Sequence, residues 1–111
     1  MACLFCKIIS KEIPASIVYE DDKVLAFNDI NPQAPVHILV IPKEHVQGVA
    51  EIKDTRVISD LYAVMQKLAE QKGLDKTGYR IVVNHGKDAG QAVAHLHFHL
   101  LGGRFLSWPP G

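Results

Sequence analysis

His95-Leu96-His97-Phe98-His99-Leu100-Leu101-Gly102-Gly103 sets three histidines at every second position near the end of a 111-residue chain. On a helix, His95 and His99 would share one face and His97 would turn to another; on a strand all three share a face while Leu96, Phe98 and Leu100 fill the opposite side. The run is short, alternates and ends in Gly-Gly, so it reads as a strand over Leu96 to Leu101. Neighbouring histidines on that face stand ~7 Å apart at their bases and the outer two ~13 Å apart. Two neighbours can converge on one ion, but all three cannot without sharp bending, because zinc takes nitrogens at ~2.0–2.1 Å. A single three-histidine metal centre is therefore disfavoured.

Outward from this strand, Tyr79 to Asn84 reads as a preceding strand and Gly86 to Gly90 as a loop between the two. Further upstream, Val57, Ile58, Leu61, Met65, Leu68 and Ala69 recur at helical spacing from about Thr55 to Lys72, with Asp54 as a candidate cap and Gly73 as a stop. His37 to Ile41 is apolar without alternation, as in a strand covered on both faces, and Pro42 ends it. Ile17 to Glu20 and Val24 to Asn28, joined at Asp21-Asp22, form a hairpin signal. Phe5 to Ile9 is a short apolar turn or helix start, broken at Pro14. Five strands with one long helix between the third and fourth predict an α+β fold, an antiparallel sheet with that helix on one face. Such a sheet has edges, and a second copy of the chain is the expected cover, giving a homodimer.

The length suits one domain over residues 1–111 and one core. Twelve Lys and Arg balance twelve Asp and Glu with no block of like charge, so the footprint expected for nucleic-acid binding is missing. A compact anion needs only local positive groups. The longest apolar runs, such as Val36 to Ile41, are too short to span a bilayer, and the beginning of the chain lacks the pattern of a secretory signal; the expectation is no membrane association and a cytoplasmic location. The two cysteines, in Cys3-Leu4-Phe5-Cys6, are too close for a disulfide framework.

A polar face exposed by chance is the plain explanation for one histidine, but three in alternation between Gly-rich loops call for another. Imidazole is largely neutral near pH 7, with a reference pKa of ~6.5, and its ring nitrogen can attack phosphorus to give a covalent intermediate. A second, protonated histidine beside it can stabilise phosphate oxygens or protonate a leaving group.

The pattern resembles the His-φ-His-φ-His-φ-φ signature of the histidine triad (HIT) family, and the resemblance extends across almost the whole chain. Lys7-Ile8-Ile9, Glu12-Ile13-Pro14, Asp29 to Pro35, His37 to Lys43, Gly78-Tyr79-Arg80 with Val83-Asn84, and Gly102-Gly103-Arg104 to Trp108-Pro109-Pro110-Gly111 are similar to the Hint branch, the tail distinguishing it from the Fhit branch. The resemblance implies a homodimeric purine nucleoside phosphoramidase that cleaves the phosphorus–nitrogen bond of adenosine or guanosine monophosphate derivatives. It implies His97 as nucleophile, with His99 and His37 beside it. Asn84, Gly90 and Gln91 would lie near the α-phosphate, Asp29 would accept from the ribose, and Leu4, Phe5, Ile8, Phe27 and Ile30 would wall the purine. Trp108, in the Hint-like tail, joins the nucleotide-binding set. Asp29 as a turn residue and Phe27 as simple core are the alternatives for those two. After Gly90-Gln91 the Hint pattern has a serine near the leaving nitrogen where this chain has Ala92, so leaving-group protonation falls to His99 or water. Dinucleoside polyphosphate hydrolysis, or nucleotide binding with little turnover, are the rival functions.

The cysteine pair suits redox or zinc chemistry. Redox use places Cys-x-x-Cys after a strand, which is missing here, while a structural zinc needs two further ligands, for which His45 and one of the triad histidines are available. Some bacterial HIT members resembling this chain bind zinc through such a pair, the histidine after Pro-Lys and the first triad histidine. That implies a zinc site of Cys3, Cys6, His45 and His95, structural, with catalysis needing no metal. Two unligated thiols packing the N-terminal turn are the alternative.

Overall fold

The computed structural model describes residues 3–111. Strands β1 (Ile17–Glu20), β2 (Val24–Asn28), β3 (Val36–Pro42), β4 (Tyr79–Val83) and β5 (Phe98–Gly102) form one antiparallel sheet in the order β1-β2-β3-β5-β4. Helix α1 (Leu4–Ile9) precedes the sheet, and α2 (Arg56–Gln71) with the short α3 (Leu74–Thr77) stands between β3 and β4. The expected α+β class and five-stranded sheet are as observed.

Alternation sorts the sheet into two apolar layers. Val24 and Ala26 of β2, Ile38 and Val40 of β3, and Phe98 and Leu100 of β5 pack against Leu61, Val64, Met65, Leu68 and Ala69 of α2. The neighbouring residues Leu25, Phe27, Leu39 and Ile41 turn the other way and pack against Phe5 and Ile8 of α1. Central strand β3 is thus covered on both faces, which its unbroken apolar run requires. Burying the α2 stripe stabilises the fold by about 1.5–3 kcal/mol for each large aliphatic side chain.

Helix α2 begins one residue later than its acidic signal suggests. Asp54 Oδ1 accepts from the Arg56 N–H at 3.0 Å, while Thr55 occupies the cap position without a side-chain bond. Gly73, at φ 75°, ends the helix in the left-handed region, and α3 follows at once. Leu74 of α3 packs where Gly102 leaves room, since a Cβ on Gly102 would sit 2.8 Å from its methyls.

The last strand corrects the sequence reading. It starts at Phe98, and the segment from His95 to His97 lies outside the ladder. The register pairs Val40 with Phe98, so its continuation would set Leu96 opposite Pro42, which has no N–H to donate. Leu96 N–H turns instead to the Val46 carbonyl at 2.6 Å. Among the described residues no helix is long and apolar enough to cross a membrane.

Candidate functional site

On the α1 side of the sheet, histidines gather where β3 and β5 lie together. His37 and His99 sit diagonally across the pair, since His37 is opposite Leu101 and His99 opposite Leu39. Their rings stand 5.2 Å apart between centroids, and His97 stands 5.1 Å from His99. His37 and His97 are buried, 5% and 6% exposed, and His99 is half-buried. The structure thus brings together the three residues expected to be catalytic.

Backbone partners place the protons of His97 and His37, and His37 in turn places that of His99. His97 Nδ1 lies 2.7 Å from the His95 carbonyl, which only accepts, so Nδ1 carries the hydrogen and Nε2 keeps its lone pair. Gln33 N–H donates to His37 Nδ1 at 3.0 Å, which puts the His37 proton on Nε2. That Nε2–H donates to His99 Nδ1 at 2.9 Å, with Asp29 Oδ2 3.4 Å away, so neutral His99 presents an Nε2–H. Burial, with the neighbouring histidines His97 and His37, pushes His99 down to about 4. Burial also lowers His37, against the opposing pull of Asp29. Both rings are therefore neutral near pH 7 without a ligand, whereas the sequence reading expected a protonated second histidine. The donor atoms of Asp29, His37 and His99 also lie within 4.8 Å of one another, but the Gln33 bond puts a hydrogen where a metal would need a lone pair on His37 Nε2.

A second cluster adjoins the first through the chain itself. His95, fully buried, donates from Nε2 to the Pro42 carbonyl at 2.9 Å, which leaves its Nδ1 lone pair unprotonated. That nitrogen faces Cys3 Sγ at 3.5 Å, Cys6 Sγ at 3.6 Å and His45 Nδ1 at 3.1 Å, and Cys6 Sγ lies 3.3 Å from His45 Nδ1. A tetrahedral zinc spaces such sulfurs and nitrogens about 3.3–3.8 Å apart. Two thiols and two imidazoles, mutually within 4.8 Å, fit zinc in number, type and spacing, and form a candidate zinc site.

Of the residues expected to hold a nucleotide, Phe5, Ile8 and Phe27 are buried together in the α1-side core, with Phe5 edge-on to Phe27 at 5.5 Å and to His97 at 5.1 Å. Leu4 and Ile30 lie open, at 45% and 99% exposed. Asp29 follows β2, where its Oδ1 accepts from the Asn31 N–H at 2.8 Å. Asn84 is half-buried just past β4, and Gly90 takes the left-handed φ of 75°. Gln91 spends its side chain on the loop: Oε1 accepts from Gly86 N–H, and Nε2 donates to the Gln47 and Val93 carbonyls. Its amide shapes the loop. Trp108 is 79% exposed and lies against the Arg80 guanidinium, 5.7 Å from the ring centre, on β4. Ala92 is exposed in the loop before the histidines. A wide groove of about 990 Å³ lies away from the His37, His97 and His99 rings, between Asp22-Lys23 and the start of α2, and its rim mixes both signs of charge. Sequence reading missed the backbone groups of Gln33, Pro42 and His95 that assign the tautomers, because a carbonyl's direction leaves no mark in residue identity.

Comparison with known proteins agrees with this geometry. The chain is 52% identical over 112 residues to a 14 kDa zinc-binding protein of Zea mays, covering 97% of this chain and 87% of that one. A HIT family hydrolase from Legionella pneumophila superposes with a TM-score of 0.96 at 49% identity, over 98% of this chain and 99% of that one. The histidine triad nucleotide-binding protein from Candida albicans gives a TM-score of 0.84 at 40% identity, over 89% and 73% of the two chains. Residues 10–106 match the HIT domain, and the chain belongs to that family.

Proposed function

We propose that the chain is a purine nucleoside phosphoramidase, hydrolysing the phosphorus–nitrogen bond of adenosine or guanosine 5'-monophosphoramidates through a nucleotidyl-histidine intermediate. The observation that carries this reading is the His97 Nδ1 bond to the His95 carbonyl, which leaves a neutral nucleophilic Nε2 beside two further imidazoles. The named activities of relatives lend support: one is a hydrolase and one a nucleotide-binding protein.

Nε2 of His97 attacks the α-phosphorus, the phosphorus–nitrogen bond breaks, and the amine leaves with a proton. That proton comes from His99 once the anionic phosphate beside it has raised its pKa, or from water. Water then attacks phosphorus, the bond to Nε2 breaks, and the nucleoside monophosphate leaves. Asp29 receives the ribose hydroxyls, Phe5, Ile8 and Phe27 back the base, Leu4 and Ile30 close over it, and Asn84, Gly90 and the Gln91 loop flank the phosphate. Cys3, Cys6, His45 and His95 would hold a zinc ion, which would supply structural cross-linking without touching the reacting atoms; the maize relative's zinc-binding name is consistent with that site. The enzyme acts as a homodimer paired through the β4 edge, with Trp108 of the adjoining tail completing the nucleotide site.

Purified protein tests this with an adenosine phosphoramidate. His97→Ala and His97→Asn should each lower turnover by about a thousandfold or more, with the fold intact by circular dichroism. Undiminished hydrolysis would remove His97 from the nucleophile's role. Ala92, which has no hydroxyl for the leaving nitrogen, favours one second reading, a nucleotide-binding module; tight AMP binding without turnover by the unsubstituted chain would select it.

A further inference from the structure

The two histidine clusters share one residue and one aromatic side chain. His95 turns its ring toward the cysteines and its backbone carbonyl toward His97 Nδ1. Phe5 lies between Cys3 and Cys6 in sequence and sets its ring edge-on to His97 at 5.1 Å and 87°, to His95 at 5.9 Å and to Phe27 at 5.5 Å. His45 is tied to the same segment, since its neighbour Val46 accepts from Leu96 N–H. Helix α1 itself has six residues, far below the length at which a helix holds by its own hydrogen bonds. Its placement rests on Phe5 and Ile8 within the second core and on whatever joins Cys3 and Cys6 to the histidines.

We infer that the metal ligands form a positioning device for the phosphate site: joining Cys3 and Cys6 to His45 and His95 fixes α1 against residues 95–97, which holds His97 as the Nδ1–H tautomer and Phe5 against its ring. Metal occupancy thereby sets nucleotide affinity and the form of the attacking ring in addition to stability. His95 acts through His97 as a positioning residue, and Phe5 does so through its ring contact with His97 in addition to backing the base. The inference rests on the reading of His97 as nucleophile, but its readouts are binding and ring chemistry, so turnover by His97→Ala judges that reading separately.

The experiment compares full-length protein loaded with zinc, stripped by a chelator, and reloaded, at one pH where imidazoles are neutral. Long-range proton–nitrogen NMR reads the His97 tautomer, and calorimetry reads AMP affinity. The loaded form should show His97 protonated at Nδ1. Stripping should give a mixture of tautomers and weaken AMP by about two- to tenfold, the range expected for one lost edge-on aromatic contact, with both effects reversed by zinc. A stripped chain that keeps its fold, its His97 nitrogen shifts and its AMP affinity would overturn the inference and leave zinc as an anchor alone. Should stripping unfold the chain, zinc-loaded Phe5→Leu decides instead. It should bind zinc as before while His97 departs from the single Nδ1–H tautomer; a His97 still protonated at Nδ1 alone would overturn the coupling.

Discussion

His97 and His99 are the same residue type two positions apart, yet their neighbours give them different chemistry. A carbonyl from His95 takes the His97 hydrogen and frees Nε2, while His37 gives its hydrogen to His99 Nδ1. Burial and the adjoining imidazoles hold His99 down to about 4. Its reference value in an unfolded chain is ~6.5, so between these two pH values the unfolded chain takes up a proton that the folded chain refuses. The resulting stability is complete above the window and is lost as pH falls through it. We predict that NMR titration finds His99 well below the ordinary histidine range in the free protein, and that saturating AMP raises its pKa through the phosphate's negative charge. An ordinary pKa in the free chain, or no rise with AMP, would remove His99 from the phosphate's side.

At the scale of elements, β1 and β2 were legible because two short, largely apolar runs on either side of the Asp21-Asp22 turn set both strands from local signals alone. The start of β5 was not, since the missing donor is Pro42, far away in the chain and close only once β3 has paired. Helix α3 was hidden by Gly73, which reads as a stop although the chain turns back into helix directly after it. The two edges of the sheet also differ. Strand β1 is short and bulged, with Glu20 bound to Lys11 and Lys43, features that discourage further pairing. Edge strand β4 offers five half-buried residues, including the β-branched Ile81, Val82 and Val83. Pairing there predicts a sedimentation mass of twice 12.3 kDa at micromolar concentration; a 12.3 kDa particle at all concentrations would contradict it.

For the molecule as a whole, strand alternation made the grouping of histidines readable, and resemblance supplied the proposed division of labour between phosphate and zinc. Which nitrogen carries each hydrogen was unreadable, because it depends on the Gln33 N–H and the carbonyls of Pro42 and His95, groups every residue of their kind possesses. The same sheet face supports both clusters, so the attacking ring, the walls of the base and the candidate zinc site depend on one small helix and one turn before β5. The central claim is that His97 bonds to phosphorus. Rapid quenching of the protein during turnover of an adenosine phosphoramidate, in alkaline denaturant that spares a histidine–phosphorus bond, followed by mass mapping, tests it directly. An adenylyl adduct on His97, lost in His97→Ala, is the predicted result; an adduct on another residue, or turnover that survives His97→Ala, would contradict the account.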